Sequence, residues 1–168
     1  MEEPLVKIHY WLYPVSWIYG IGAYLRNKLF DWGYYQSKSF DVPVVCIGNL
    51  AVGGTGKTPH TEYLIKLLQQ TGANVAMLSR GYKRKSKGYV LATEKTDVKR
   101  IGDEPYQIKT KFPDIRVAVD ENRCHGIEQL MKLDNPKVDV VLLDDAYQHR
   151  HVKAGLNILL TDFHRLFS

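Results

Sequence analysis

The sequence predicts an α/β fold, a mostly parallel sheet flanked by helices. Three observations carry the prediction. Short β-branched runs recur along the chain, segments of helical period stand between them, and small or acidic residues follow the ends of the runs. Parallel sheets of this kind bind ligands outside the carboxyl ends of their strands. Gly53, Ser79, Asp120, Asp144 and Asp162 all fall at or just beyond such ends.

The first forty residues stand apart. "HYWLYPVSWIYGIGAYLRNKLFDWGYY" holds all three tryptophans (Trp11, Trp17, Trp32). Its uncharged run, Tyr10 to Leu25, is broken by Pro14 and falls short of the roughly 20 apolar residues a spanning helix needs. Lys7 precedes the run, and Arg26 and Lys28 follow it. Aromatics flanked by bases suit a helix lying among lipid headgroups, so residues 1–40 are expected to form a membrane-interface helical segment. The alternative is a helical hairpin packed on the domain. Glu2 and Glu3 at the start argue against a secretory signal.

Residues 41–168 are expected to form the core. "VPVVCI" (42–47) reads as a strand. Residues 57–70 place Tyr63, Leu64, Leu67 and Leu68 at helical spacing, and Thr71-Gly72 ends that helix. "NVAMLS" (74–79) is a strand, "RGYKRKSKG" (80–88) a basic loop and "YVLA" (89–92) a short strand. A helix over 103–111, a strand at 115–119, a helix over 121–132 and strands at 138–143 and 156–161 follow. The sequence stops at "NILLTDFHRLFS", with no terminal helix or tail after the last strand, so the protein is expected to continue beyond residue 168.

Composition is that of one globular domain: 168 residues, 45% apolar and 24% charged. The net charge of +5 fits an anionic partner and does not choose among nucleotide, lipid headgroup and nucleic acid. Cys46 and Cys124 lack paired metal spacing and read as buried, reduced thiols of a cytosolic protein.

The densest chemistry lies in "CIGNLAVGGTGKTPHTEYL". Ala51-Val-Gly-Gly-Thr-Gly56-Lys57-Thr58 matches the phosphate-loop pattern G-x-x-x-x-G-K-[ST], except that alanine replaces its first glycine. Backbone amides of Gly53, Gly54, Thr55 and Gly56 can turn inward around phosphate oxygens, and the helix N-terminus adds its positive end. Lys57 would reach the β- and γ-phosphates of ATP, and the Thr58 hydroxyl would ligate Mg²⁺. Pro59 sits in the first helical turn, where its missing N–H costs little. The fold is therefore expected to be P-loop NTPase-like; an ordinary glycine-rich turn is the alternative.

"VDVVLLDDAYQHRH" ends an apolar strand in Asp144-Asp145. In phosphate-loop enzymes an acidic residue at a strand end holds magnesium, and two carboxylates can divide that work. An acidic helix cap is the other reading. Gln148 and His149 follow in the same loop and are candidates to touch substrate or phosphate.

Four blocks in this order, "VVCIGNLAVGGTGKTP", "LSRGYKRKSKG", "GDEP" and "LLDDAYQHR", together resemble the tetraacyldisaccharide 4'-kinase family, the lipid A 4'-kinases of Gram-negative bacteria. The resemblance covers about residues 5–168, and the family's proteins are about twice this long. It implies a monotopic or peripheral enzyme on the cytoplasmic face of the inner membrane. Such an enzyme transfers the ATP γ-phosphate to the 4'-hydroxyl of a tetraacyl glucosamine disaccharide 1-phosphate, giving lipid IVA. No nucleic-acid or protein partner is expected. A substrate with four acyl chains stays in the bilayer, which gives the aromatic N-terminal segment a purpose.

By position, the resemblance makes Asp103 of "GDEP" the catalytic aspartate, with Glu104 beside it, and Lys57 the catalytic lysine. Asp144 and Asp145 become the metal pair with Thr58. A carboxylate that orients or deprotonates the acceptor hydroxyl is what phosphoryl transfer needs, although the residues alone read Asp103 as an acid favouring the helix dipole. Ser79, Arg80 and Tyr82 resemble a block near the substrate, and Arg80 suits bidentate pairing with phosphate. Arg123 is either an anion contact or a solvent-facing side chain. Lys83, Arg84, Lys85 and Lys87 are expected to face solvent or headgroups.

Two departures stand out: Ala146-Tyr147 replaces the Gly-Phe of many members, and the segment bearing the family's histidine partner for the catalytic aspartate, with a further acidic metal ligand, is absent. Two other classes compete. A membrane-recruited nucleotide switch would show an Asn-Lys-x-Asp loop, and "NPKVD" at 135–139 lacks the Asn-Lys pair. A small-molecule phosphate-loop enzyme, of the dethiobiotin-synthetase type, would bury its N-terminal segment.

Overall fold

The computed structural model describes residues 13–49, 56–145 and 150–161. The chain divides into two compact units, Met1–Ser37 and Lys38–Ser168.

In the first unit the described residues form one helix, α1 (Tyr13–Asp31). Pro14 does not break it. It is the second described residue of the helix. The helix closes with paired bonds from the Tyr34 amide to the Leu29 carbonyl (2.9 Å) and from the Gly33 amide to the Phe30 carbonyl (3.1 Å). Trp17, Ile18, Tyr19, Tyr24 and Leu25 are all exposed on α1. No helix among the described residues is long and apolar enough to cross a membrane.

The second unit holds β1 (Val44–Asn49), α2 (Lys57–Gln70), β2 (Val75–Ser79), β3 (Val90–Leu91), α3 (Val98–Ile101), α4 (Asp103–Lys111), β4 (Arg116–Val119), α5 (Arg123–Met131), β5 (Val140–Asp144) and β6 (Leu156–Leu160). The strands form one sheet in the order β3-β4-β2-β5-β1-β6. Every neighbouring pair is parallel except β3 with β4. The carboxyl ends of β1, β2, β4 and β5 therefore share one edge.

Both sheet faces are covered, which is why the strands read as apolar runs rather than alternating ones. Ala76, Leu78, Val141 and Leu143 pack on one face with Ile127 and Leu130 of α5. Val75, Met77, Val140 and Leu142 pack on the other with Ile65, Ile101 and Ile108 from α2, α3 and α4. Strand ends differ from the predicted ones by one or two residues. Helix α3 was not predicted, because four residues are too few to display a period; Asp97 caps it by accepting from the Arg100 amide at 3.1 Å. Cys46 is buried as expected, but Cys124 is only half-buried, and neither is in a disulfide.

Candidate functional site

The site is built on the shared carboxyl edge. Gly56 precedes α2 in a left-handed conformation (φ 74°) that costs glycine nothing. Lys57 and Thr58 then begin the helix. The neighbouring strand supplies the acids: Ile47 of β1 is in register with Asp144 of β5, and the Asp145 amide donates to the Ile47 carbonyl at 3.0 Å. The Lys57 ammonium meets Asp145 Oδ1 at 3.1 Å. Lys57 thus meets Asp145 directly and lies within electrostatic reach of Asp144, while Thr58 is the next residue of α2. Gly53, Gly54, Thr55, Gln148 and His149 lie outside the described residues.

The two aspartates are not equivalent. Asp144 is buried and Asp145 exposed, with a left-handed φ of 52°. Burial pushes the Asp144 carboxyl up to about 7; Lys57 opposes this, while the charges of Glu104 and Asp145 and a hydrogen bond shared with Glu104 add to it. Burial works to lower the Lys57 ammonium, but Asp144, Asp145 and Glu104 outweigh it and hold the group above its ordinary value. Glu104, placed by resemblance beside the acceptor, thus also reaches the acidic pair.

On the other half of the edge, Ser79 ends β2 and is buried; its hydroxyl accepts from the Gly81 amide at 3.3 Å. Arg80 and Tyr82 are exposed, and the Lys83 ammonium lies 5.2 Å from the Tyr82 ring centroid. Asp103 is exposed as the first residue of α4. One expectation and one of two alternatives fail here. Arg84 does not face solvent or headgroups: its side chain is 3% exposed and pairs with Glu121 at 2.7 Å. Nor does Arg123 face solvent. It is buried at the start of α5, and its Nη1 donates to the Asp120 carbonyl at 2.6 Å. Its Nε and Nη2 have no hydrogen-bond partner among the described residues. Burial works to lower this guanidinium, against the attraction of Asp144, Asp145 and Asp120. A buried guanidinium with unpartnered nitrogens has donors to offer an anionic group.

Sequence reasoning also missed His125, whose Nδ1 lies 2.6 Å from Asp120 Oδ2. Its position after the strand-end Asp120 and the helix cap Asn122 was the available signal. Among the described residues no group of three or more His, Cys, Asp or Glu side chains is arranged to hold a metal ion. That is compatible with magnesium at a phosphate site, where one or two carboxylates suffice alongside substrate phosphates.

A family model for tetraacyldisaccharide-1-P 4'-kinase matches residues 8–168. The chain is 72% identical over 167 residues to a tetraacyldisaccharide 4'-kinase of Bacteroides fragilis, covering 99% of this chain and 44% of that one. Identity to the enzyme of the same name from Porphyromonas gingivalis is 52%, covering 100% of this chain and 46% of the relative. The chain thus spans less than half the length of these relatives. The crystal structure of LpxK from Aquifex aeolicus in complex with ATP superposes with a TM-score of 0.78 at 42% identity, covering 88% of this chain and 47% of that one.

Proposed function

Because the chain belongs to the tetraacyldisaccharide-1-P 4'-kinase family, we propose that it carries the nucleotide site and part of the acceptor site of an ATP-dependent lipid kinase. The reaction is transfer of the γ-phosphate to the 4'-hydroxyl of a tetraacyl glucosamine disaccharide 1-phosphate, giving lipid IVA in lipid A biosynthesis. The observation that supports this most is the meeting of Lys57 with Asp145 and Asp144 across the ends of α2 and β5.

In this reading the Gly53–Gly56 amides and Lys57 hold the triphosphate. Thr58, Asp144 and Asp145 offer the hard oxygen donors that Mg²⁺ prefers. When bound there, the ion would offset charge on the β- and γ-phosphates. Asp103 orients or deprotonates the acceptor hydroxyl. Glu104 sits between the two halves, close enough to Asp144 to share a hydrogen bond. Arg123, with two unpartnered nitrogens, and the exposed Arg80 are the anion contacts; Ser79 shapes the turn that presents Arg80. Tyr82, Gln148 and His149 contact substrate. Helix α1 rests on the cytoplasmic face of the inner membrane, its aromatic side chains among the headgroups, and brings the edge to an acceptor that does not leave the bilayer.

The direct test incubates a full-length enzyme carrying these residues with a disaccharide 1-phosphate lipid and labelled ATP. Label should move to the lipid, and Lys57→Ala or Asp103→Ala should each cost about 10²–10³-fold in rate. Transfer undiminished by Lys57→Ala would contradict the nucleotide assignment.

A further inference from the structure

The basic loop 80–88 is tied down on two sides. Toward β4 the tie is Arg84. Its Nη2 bonds Glu121 at 2.7 Å and the Gly88 carbonyl at 2.8 Å. Its Nη1 donates to the Ser86 hydroxyl at 3.3 Å and lies 3.5 Å from the Val119 carbonyl oxygen. Glu121 also accepts from the Gly88 amide at 2.9 Å. Toward α3, the Lys85 amide donates to the Lys99 carbonyl at 2.8 Å, and the Ser86 hydroxyl donates to the Arg100 carbonyl.

Between these ties, backbone lies on backbone. A Cβ on Gly102 would stand 2.8 Å from the Tyr82 carbonyl oxygen. A Cβ on Gly81 would stand 2.9 Å from the Ile101 carbonyl oxygen and 3.0 Å from Arg84 Nε. Both glycines have positive φ, 71° at Gly81 and 91° at Gly102, so neither position accepts a side chain. Asp103 is the residue after Gly102. The segment carrying Arg80 and Tyr82 and the segment carrying Asp103 therefore meet at van der Waals contact, and Arg84 fixes the first of them to the sheet.

We propose that Arg84 is a positioning residue for phosphoryl transfer: it folds the 80–88 loop and, through the Tyr82–Gly102 contact, sets where Asp103 stands. The loop needs such a tie, because Arg80, Lys83, Lys85 and Lys87 repel one another. Arginine serves where lysine cannot, since a planar fork reaches several acceptors in fixed directions. Arg84 acts through the loop and touches none of Lys57, Asp144 and Asp145, so its loss separates the acceptor half of the site from the nucleotide half.

The test rests on the kinase reading and uses the full-length enzyme with Arg84→Met, Arg84→Lys and Glu121→Gln. Measured are kcat, the KM for the lipid acceptor, and the Kd for a non-hydrolysable ATP analogue. Arg84→Met should lower kcat/KM for the acceptor about 10²-fold, as a misplacement near 1 Å does, while the analogue Kd moves less than about threefold. Arg84→Lys should restore only part of the loss, and Glu121→Gln should shift the same ratio in the same direction by less. Equal losses toward acceptor and nucleotide, or full activity in Arg84→Met, would overturn the positioning role. Should Arg84→Met fail to fold, Glu121→Gln decides: an acceptor-selective loss upholds the role and an unchanged acceptor kcat/KM overturns it. An unsubstituted enzyme that transfers no phosphate would instead defeat the kinase reading.

Discussion

Helix α1 and strand β5 are both apolar stretches, and they meet opposite fates. On α1, Trp17, Ile18 and Tyr19 are 74%, 73% and 79% exposed. On β5, Val141, Leu142 and Leu143 are at most 1% exposed. Hydrophobicity alone does not separate them. What differs is partnership: β5 lies between β1 and β2 with helices over both faces, while α1 shows tryptophan and tyrosine to the outside. Tryptophan and tyrosine, apolar rings with a polar edge, suit the membrane interface. The strand makes the fold, and the helix, on our reading, determines where the fold works.

The contrast predicts effects of different kinds. The largest is in the strand. Leu142→Ala should cost about 2–5 kcal/mol of stability, as large-to-small changes in a packed core do, read by urea denaturation. Trp17→Ser should leave the same curve unchanged within about 0.5 kcal/mol. A large loss of stability in Trp17→Ser would erase the distinction.

The next effect concerns the one carboxylate that β5 buries. Asp144 sits at about 7 in the fold, raised first by burial and then by Glu104 and Asp145, against the pull of Lys57. A carboxyl raised in the fold binds more protons folded than unfolded, so its contribution is fully present near pH 4 and is lost as pH rises through about 7. For the nucleotide-free, metal-free protein the contribution is on the order of 4 kcal/mol. Asp144→Asn should flatten that slope between pH 4 and 7; an unaltered slope would mean that Asp144 titrates normally. The smallest effect is on α1. Trp17→Ser should weaken partition onto anionic vesicles about tenfold, the worth of one aromatic anchor, measured by flotation.

Legibility followed the same division. The strand before the glycine-rich turn, the helix that begins at Lys57 and the strand that ends in Asp144 were readable because each signal is local to its own few residues. The expected helix over 57–70 matches α2 to the residue. The burial of Arg84 and Arg123 was not readable, although Arg123 was already a candidate anion contact. Each lies in a polar stretch, and each is buried by partners that only the fold delivers: Glu121 and the Val119 carbonyl for Arg84, and the top of β4 for Arg123. Gly81 and Gly102 stand 21 positions apart in the sequence, and nothing local announces that their backbones touch.

The central claim is that the start of α2 and the end of β5 together hold a nucleoside triphosphate. Calorimetric titration of the protein with a magnesium complex of a non-hydrolysable ATP analogue measures this most directly. Binding should occur, and Lys57→Ala should weaken it at least about tenfold, the loss of one desolvated charge-assisted contact. Equal affinity in the two proteins, or no binding by the unsubstituted one, would contradict the account.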